Sequence, residues 1–185
     1  RADILCMLAV TAVYGCFALY DLGERQAPVT RLDMVQGQSI ELSFGSGAPA
    51  SLSYYIAPWQ DRTFLMEGKG ESDQNWSYLG ELSMQNVFTW QETVFQVSAA
   101  HLRLTLQDAQ AAPIELVFRD AAGNILVPEN ASDYPALFDE QELYPDAFTF
   151  RNGMYFDEIY HGRTAYEFLH GLTSYENTHP PLGKI

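Results

Sequence analysis

Two clusters near the C-terminal end hold the residues best suited to chemistry. The first is Phe156-Asp157-Glu158, followed by His161. The second is His179-Pro180-Pro181-Leu182-Gly183-Lys184. Adjacent residues on a helix project about 100° apart, so Asp157 and Glu158 do not form an equivalent acid/base pair. One would face a reacting group, and the other would orient an acceptor or a neighbour. His161 lies one turn from Asp157 and can share a proton or a metal with it. His179 and Lys184 are the groups of the second cluster that can carry positive charge. An acidic pair alone starts many helices without doing chemistry.

The elements that must position these groups follow from the flanking residues. The spacing predicts a helix over 157–170, with Asp157 and Glu158 at the positive end of its dipole. His170 falls in the last turn, Gly171 suits the position after the helix, and Ile159, Gly162, Tyr166 and Leu169 share one face. His179-Pro180-Pro181 cannot be helical and demands an extended turn. Upstream, 129–152 reads as an acidic connector carrying Asp133, Asp139, Glu140, Glu142 and Asp146 among aromatic residues and prolines. Five carboxylates are enough for a calcium site, but their spacing does not match an EF-hand loop, and a solvated connector is the reading adopted.

The middle of the chain alternates with period two. Ile40, Leu42 and Phe44 alternate with polar residues, as do Leu52, Tyr54 and Ile56 and Leu102, Leu104 and Leu106; Ile114, Leu116 and Phe118 keep the same spacing, with Glu115 and Val117 between them. Such alternation predicts strands with one buried and one wet face. Weaker strands are expected at 63–66, 78–84, 88–97 and 125–127. Breakers such as Gly45-Ser46-Gly47 and Ala122-Gly123-Asn124 separate them. About eight short strands without βα alternation or internal repeat predict a sandwich or jelly roll. Trp90 falls in a strand and is expected in the core. Asn75-Trp76-Ser77 and Asn130-Ala131-Ser132 match the glycosylation sequon, a weak pattern.

From Ile4 to Tyr20 the chain carries no charge. The stretch is expected to be a transmembrane helix over 1–20, partial or complete, leaving the membrane through Tyr14 and Tyr20. A secretory signal and a buried soluble helix are the alternatives. Arg1 beside Asp3 makes a poor n-region, and no small-residue cleavage site precedes Asp21. Residues 21–34 read as a linker. The 185 residues carry a net charge of -14, which excludes a nucleic-acid binder. With 47% hydrophobic residues the chain is no disordered acidic tail. Its two cysteines, Cys6 and Cys16, share the apolar stretch, which excludes a disulfide framework and a cysteine-based zinc site.

Two resemblances add to this reading. The run from Val97 to Leu106, then 113–120 and 121–124, resembles the late strands and turn of discoidin-like, galactose-binding-like domains. The similarity covers about 35–128. It implies sugar or lipid binding through loops, with Trp59 and Trp76 as stacking candidates. The two C-terminal clusters resemble the first extracytoplasmic loop of protein O-mannosyltransferases and their bacterial relatives, membrane glycosyltransferases of the GT-C type. The resemblance covers 153–185 plus the apolar helix. It implies Asp157 as general base and Glu158 beside it in catalysis, with His161, His179 and Lys184 in substrate binding.

The fold implied is mainly β: a jelly-roll-like sandwich after a membrane helix, with a short helical loop segment at the C-terminal end. The donor implied is a polyprenyl-phosphate-linked sugar, mannose favoured, and the acceptor a hydroxyl of protein Ser or Thr. Anomeric inversion follows, and a divalent metal is an open question. The implied location is the cell membrane, with sandwich and acidic loop outside the cytoplasm. The chain would be the N-terminal part of such an enzyme, inactive alone. The rival reading is a membrane-anchored extracellular carbohydrate-binding module.

Overall fold

The computed structural model describes residues 2–20, 26–56, 62–84, 87–96, 99–149, 152–154 and 158–174. It is mainly β, as the alternation predicts. Among the described residues nine strands follow helix α1 (Ala2–Ala18): β1 (Met34–Val35), β2 (Ser39–Ser43), β3 (Ser51–Ile56), β4 (Arg62–Lys69), β5 (Ser77–Met84), β6 (Trp90–Val94), β7 (His101–Leu106), β8 (Gln110–Ala111) and β9 (Pro113–Arg119). Helix α2 (Glu158–Leu169) comes last.

The strands form two main antiparallel sheets, ordered β2-β7-β4-β5 and β6-β3-β9, with a small β1-β8 pair beside them. Their facing residues make the core. Ile40, Leu42, Phe64, Leu102, Leu104 and Leu106 come from the four-stranded sheet, and Leu52, Leu116 and Phe118 from the three-stranded one. Each is at most 2% exposed. The outer face of the four-stranded sheet is polar. Register sets Arg103 opposite Glu41 on one side and Glu67 on the other. Its guanidinium meets those carboxylates at 3.7 and 2.8 Å.

The three-stranded sheet departs from the one-wet-face expectation. Every residue of β3 and nearly every residue of β9 is buried. A second layer covers the outer face. It includes Tyr144 and Tyr166, packed against Tyr55, Trp90, Ile114 and Val117. Ile114 belongs to this outer cluster rather than the core, because the register slips between Tyr55 and Ile56 and makes it the extra residue of a bulge.

Residues 129–144, read as a solvated connector, form short 3₁₀ turns at Ala131–Asp133, Pro135–Leu137 and Gln141–Leu143. Leu137 is fully buried in the core, and Gln141 Nε2 donates to the Leu116 carbonyl at 3.0 Å. Residues 26–34, read as linker, are also tied down. The Leu32 amide donates to the Pro113 carbonyl, and the Val29 and Thr30 amides donate to Glu140. The strand expected at 125–127 is reduced to a single bridge from Ile125 to Arg119.

Helix α1 lies where the apolar stretch predicts a helix, and none of its residues is buried. Among the described residues no helix is long and apolar enough to cross a membrane. The 17 residues of α1 rise about 25 Å, short of a bilayer core of about 30 Å.

Candidate functional site

Glu158 opens α2 and is exposed. Asp157, His179, Lys184 and Trp59 lie outside the described residues. The helix stops as its sequence dictates. Gly171 adopts φ +64°, the left-handed turn that lacks a steric penalty only for glycine. The Gly171 amide donates to the Phe168 carbonyl and the Leu172 amide to the Glu167 carbonyl, closing a Schellman motif. His161 is half-buried one turn into the helix. Arg163 and Glu167, one turn apart, form a buried ion pair at 3.7 Å. Two charges held out of water on so short a helix cost more than they return unless further bonds satisfy them, so the pair marks a constrained position.

Helix α2 lies along the outer face of the three-stranded sheet and closes a cleft of about 380 Å³. Tyr55 and Trp90 come from the sheet, Phe88 from the segment before β6, and Gly162, Ala165 and Tyr166 from the helix. The rings interlock. Trp90 packs edge-on against Tyr55 and Tyr144, with centroids at 5.4 and 4.9 Å, and Phe88 meets Tyr166 at 5.5 Å. Arg31 donates to the Tyr166 hydroxyl at 2.8 Å, tying the 26–34 segment to the same helix. Gly162 leaves room for the end of the Met154 side chain, which a Cβ there would displace. Phe88 has φ +55°, a strained value for a bulky residue. Burial pushes the Tyr55 hydroxyl up to about 12, so it stays protonated at neutral pH. The cleft thus offers aromatic faces and few charges, a surface for a sugar ring or an apolar side chain.

The two tryptophans described differ in role. Trp90 is buried, as expected, but in the outer cluster under α2 rather than between the sheets. Trp76, the stacking candidate, is half-buried. The Arg103 guanidinium lies 4.5 Å from its ring centre and the Lys69 ammonium 4.8 Å. A sugar stacking there would share the ring with these cations.

A second site gathers residues far apart in sequence. Glu115, on the outer face of β9, is fully buried. One carboxylate oxygen each from Glu115, Asp139 and Glu140 lies within 4.8 Å of the other two. Glu115 Oε2 accepts from the Glu140 amide at 3.2 Å. Glu140 Oε2 accepts from the Val29 and Thr30 amides and the Thr30 hydroxyl, at 2.7–2.9 Å. The Thr30 hydroxyl also reaches Asp139 at 2.9 Å. Burial pushes the Glu115 carboxyl up to about 8; the Glu140 amide opposes this, and the charges of Asp139, Glu140 and Glu142 add to it. Burial also raises Glu140, but its bonds from Thr30 and Val29 outweigh that and leave it below its usual value.

Sequence reasoning named Asp139 and Glu140 in the acidic run but missed Glu115 and Thr30. The one available signal was a lone glutamate inside the apolar run Pro113–Arg119. No family model matches the chain, and no curated protein matches it. A crystal structure from Bacteroides thetaiotaomicron, provisionally named an alpha-L-fucosidase, aligns at 16% identity over 52% of this chain and 24% of that one, with a TM-score of 0.32. The chain spans about a quarter of that protein's length, and so loose a likeness carries no inference about activity.

Proposed function

We propose that this chain supplies the first extracytoplasmic loop of a membrane glycosyltransferase of the protein O-mannosyltransferase type, with a galactose-binding-like jelly roll inserted before the acidic motif. The observation that carries the reading is the ordered pair of motifs, Phe156-Asp157-Glu158-x-x-His161 and His179-Pro180-Pro181-Leu182-Gly183-Lys184. Helix α2 begins at Glu158, which supports placing the acidic pair at a helix start, with Glu158 open to solvent. The helix leans on the β-domain, so the sandwich doubles as a brace for the motif. The apolar α1 would contribute to a membrane segment, which puts the site at the surface where a lipid-linked donor resides.

In this reading the acceptor hydroxyl oxygen attacks the anomeric carbon of a polyprenyl-phosphate sugar. Asp157 takes the hydroxyl proton, the lipid phosphate departs with the bonding electrons, and the configuration inverts. His179 or Lys184 meets the phosphate charge, and Glu158 with His161 orients the acceptor. The aromatic cleft beneath α2 is a place for the residues flanking an acceptor Ser or Thr.

The test is mannosyl transfer from polyprenyl-phosphate mannose in membranes holding the full-length enzyme at matched protein levels. Asp157→Asn should lower turnover by about 10²–10⁴. Glu158→Gln should chiefly raise the acceptor KM. Near-wild-type turnover in Asp157→Asn would reduce the acidic pair to a helix start.

A further inference from the structure

We propose that Glu115, Asp139 and Glu140 bind a hard divalent cation of the calcium type, which clasps β9, the 139–140 turn and the 28–30 segment together. This stands apart from the glycosyltransferase reading and does not depend on it. A group of acidic side chains by itself says little. The added observation is Glu115. It is fully buried, its carboxylate belongs to the triad, and its Oε1 has no hydrogen-bond partner. A buried carboxylate oxygen without a donor is among the costliest arrangements a fold can keep. No Lys or Arg among the described residues forms an ion pair with any of the three carboxylates. Arg119 is turned to the Gly123 carbonyl and the Tyr144 ring, and Arg31 to Asp33 and Tyr166. With no cation from the chain beside it, the metal-free fold keeps Glu115 protonated; a divalent cation bound between the three groups would displace that proton and occupy the open Oε1.

The donor set selects the cation. All three ligands are carboxylate oxygens, with neither His nor Cys, which favours calcium or magnesium over zinc. The Thr30 hydroxyl, already within 3.0 Å of both Asp139 and Glu140, adds a neutral oxygen. Glu115 sits at the buried floor, Glu140 half-buried, and Asp139 at an exposed rim, so solvent can complete the shell. Calcium tolerates such irregular sets of six to eight oxygens, whereas magnesium demands a near-ideal octahedron. With few protein ligands and an open rim, affinity should fall in the weak class of about 10⁻⁴–10⁻³ M.

The experiment uses the whole chain stripped with chelator, then titrated with calcium chloride. Equilibrium dialysis should show one calcium per chain, and the melting temperature should rise by roughly 3–10 °C at about 10 mM calcium. Magnesium at the same concentration should do less. Asp139→Asn, at the exposed rim and safe for folding, should weaken binding about tenfold or more and remove most of the rise; Glu115→Gln should do the same. Glu142→Gln, outside the triad, should keep both binding and rise. No bound calcium at about 10 mM, or an undiminished rise in Asp139→Asn, overturns the proposal; so does an equal loss in Glu142→Gln, which would mean screening of net charge. Should Glu115→Gln fail to fold, Asp139→Asn decides alone.

Discussion

Raising the pH from about 5 to about 9 in a chelating buffer should weaken the fold, and Glu115 should be the main cause. The folded chain holds this carboxyl protonated up to about 8, against an ordinary value of 4.5. Between those values the folded state binds a proton that the unfolded state has released, so stability falls as pH rises. The contribution is complete below 4.5 and gone once the pH passes about 8. The span of about 3.5 units, at about 1.36 kcal/mol each, sets a ceiling of about 5 kcal/mol. Asp139 at the rim is exposed and water reaches it, so about 2–3 kcal/mol is the expected loss. That corresponds to roughly 5–10 °C in melting temperature for a domain of this size. Asp120 and Glu140 act in the opposite sense: both are held below their usual values, so their contribution is lost only as pH falls below the carboxylate range. They do not oppose Glu115 inside the window. Urea unfolding, followed through the fluorescence of buried Trp90, reads the effect. Glu115→Gln is the control, since a neutral amide cannot ionise, and subtracting its profile cancels the histidines. The variant should match or trail the wild type near pH 5 and exceed it near pH 9. A wild type equally stable at both ends, or a Glu115→Gln profile with the same slope, refutes the reasoning.

Two further outcomes test how the outer layer is held. Gly162→Ala should turn the flexible end of Met154 aside at little cost. Alanine's better helix propensity should make the change neutral or stabilising by about 0.5–1 kcal/mol, with amide exchange in α2 no faster and exchange in β2 and β7 unchanged; faster exchange in α2 would show that the glycine is needed to seat the helix. Asn130→Ala should cost about 1–3 kcal/mol, because its side chain accepts from the Ser43 amide and donates to the Glu41 carbonyl at the edge of β2; unchanged urea unfolding would show that water replaces both bonds.

How much of this was legible in the sequence divides along physical lines. Strand β3 and strand β7 emerge with the bounds their alternation predicts, Ser51–Ile56 and His101–Leu106, because period-two burial is a local signal. The helix stop at Gly171 was legible for the same reason. What covers a face was not. Alternation assigned Ser53 and Glu115 to a wet side, yet Tyr144 arrives from 91 residues downstream to bond the Ser53 hydroxyl, and Glu140 from 25 residues downstream to cap Glu115. A bulge moved Ile114 out of the core, and no residue pattern announced it. The two-residue strands Met34–Val35 and Gln110–Ala111 are too short to carry any period.

The acidic run illustrates the limit best. Its composition speaks for solvation, and most carboxylates in such a run are solvated. Leu137 and Phe138 nevertheless pull the run onto β9, because burying them against the core is worth more than leaving the segment free. Once it is pinned, Asp139 and Glu140 have nowhere to go but beside Glu115. Apolar packing here creates the electrostatic problem, and the electrostatic problem identifies the site. The same layer carries Tyr144 and receives Tyr166 of α2. The seat of α2 and the carboxylate triad are therefore consequences of a single packing event on one face of the three-stranded sheet.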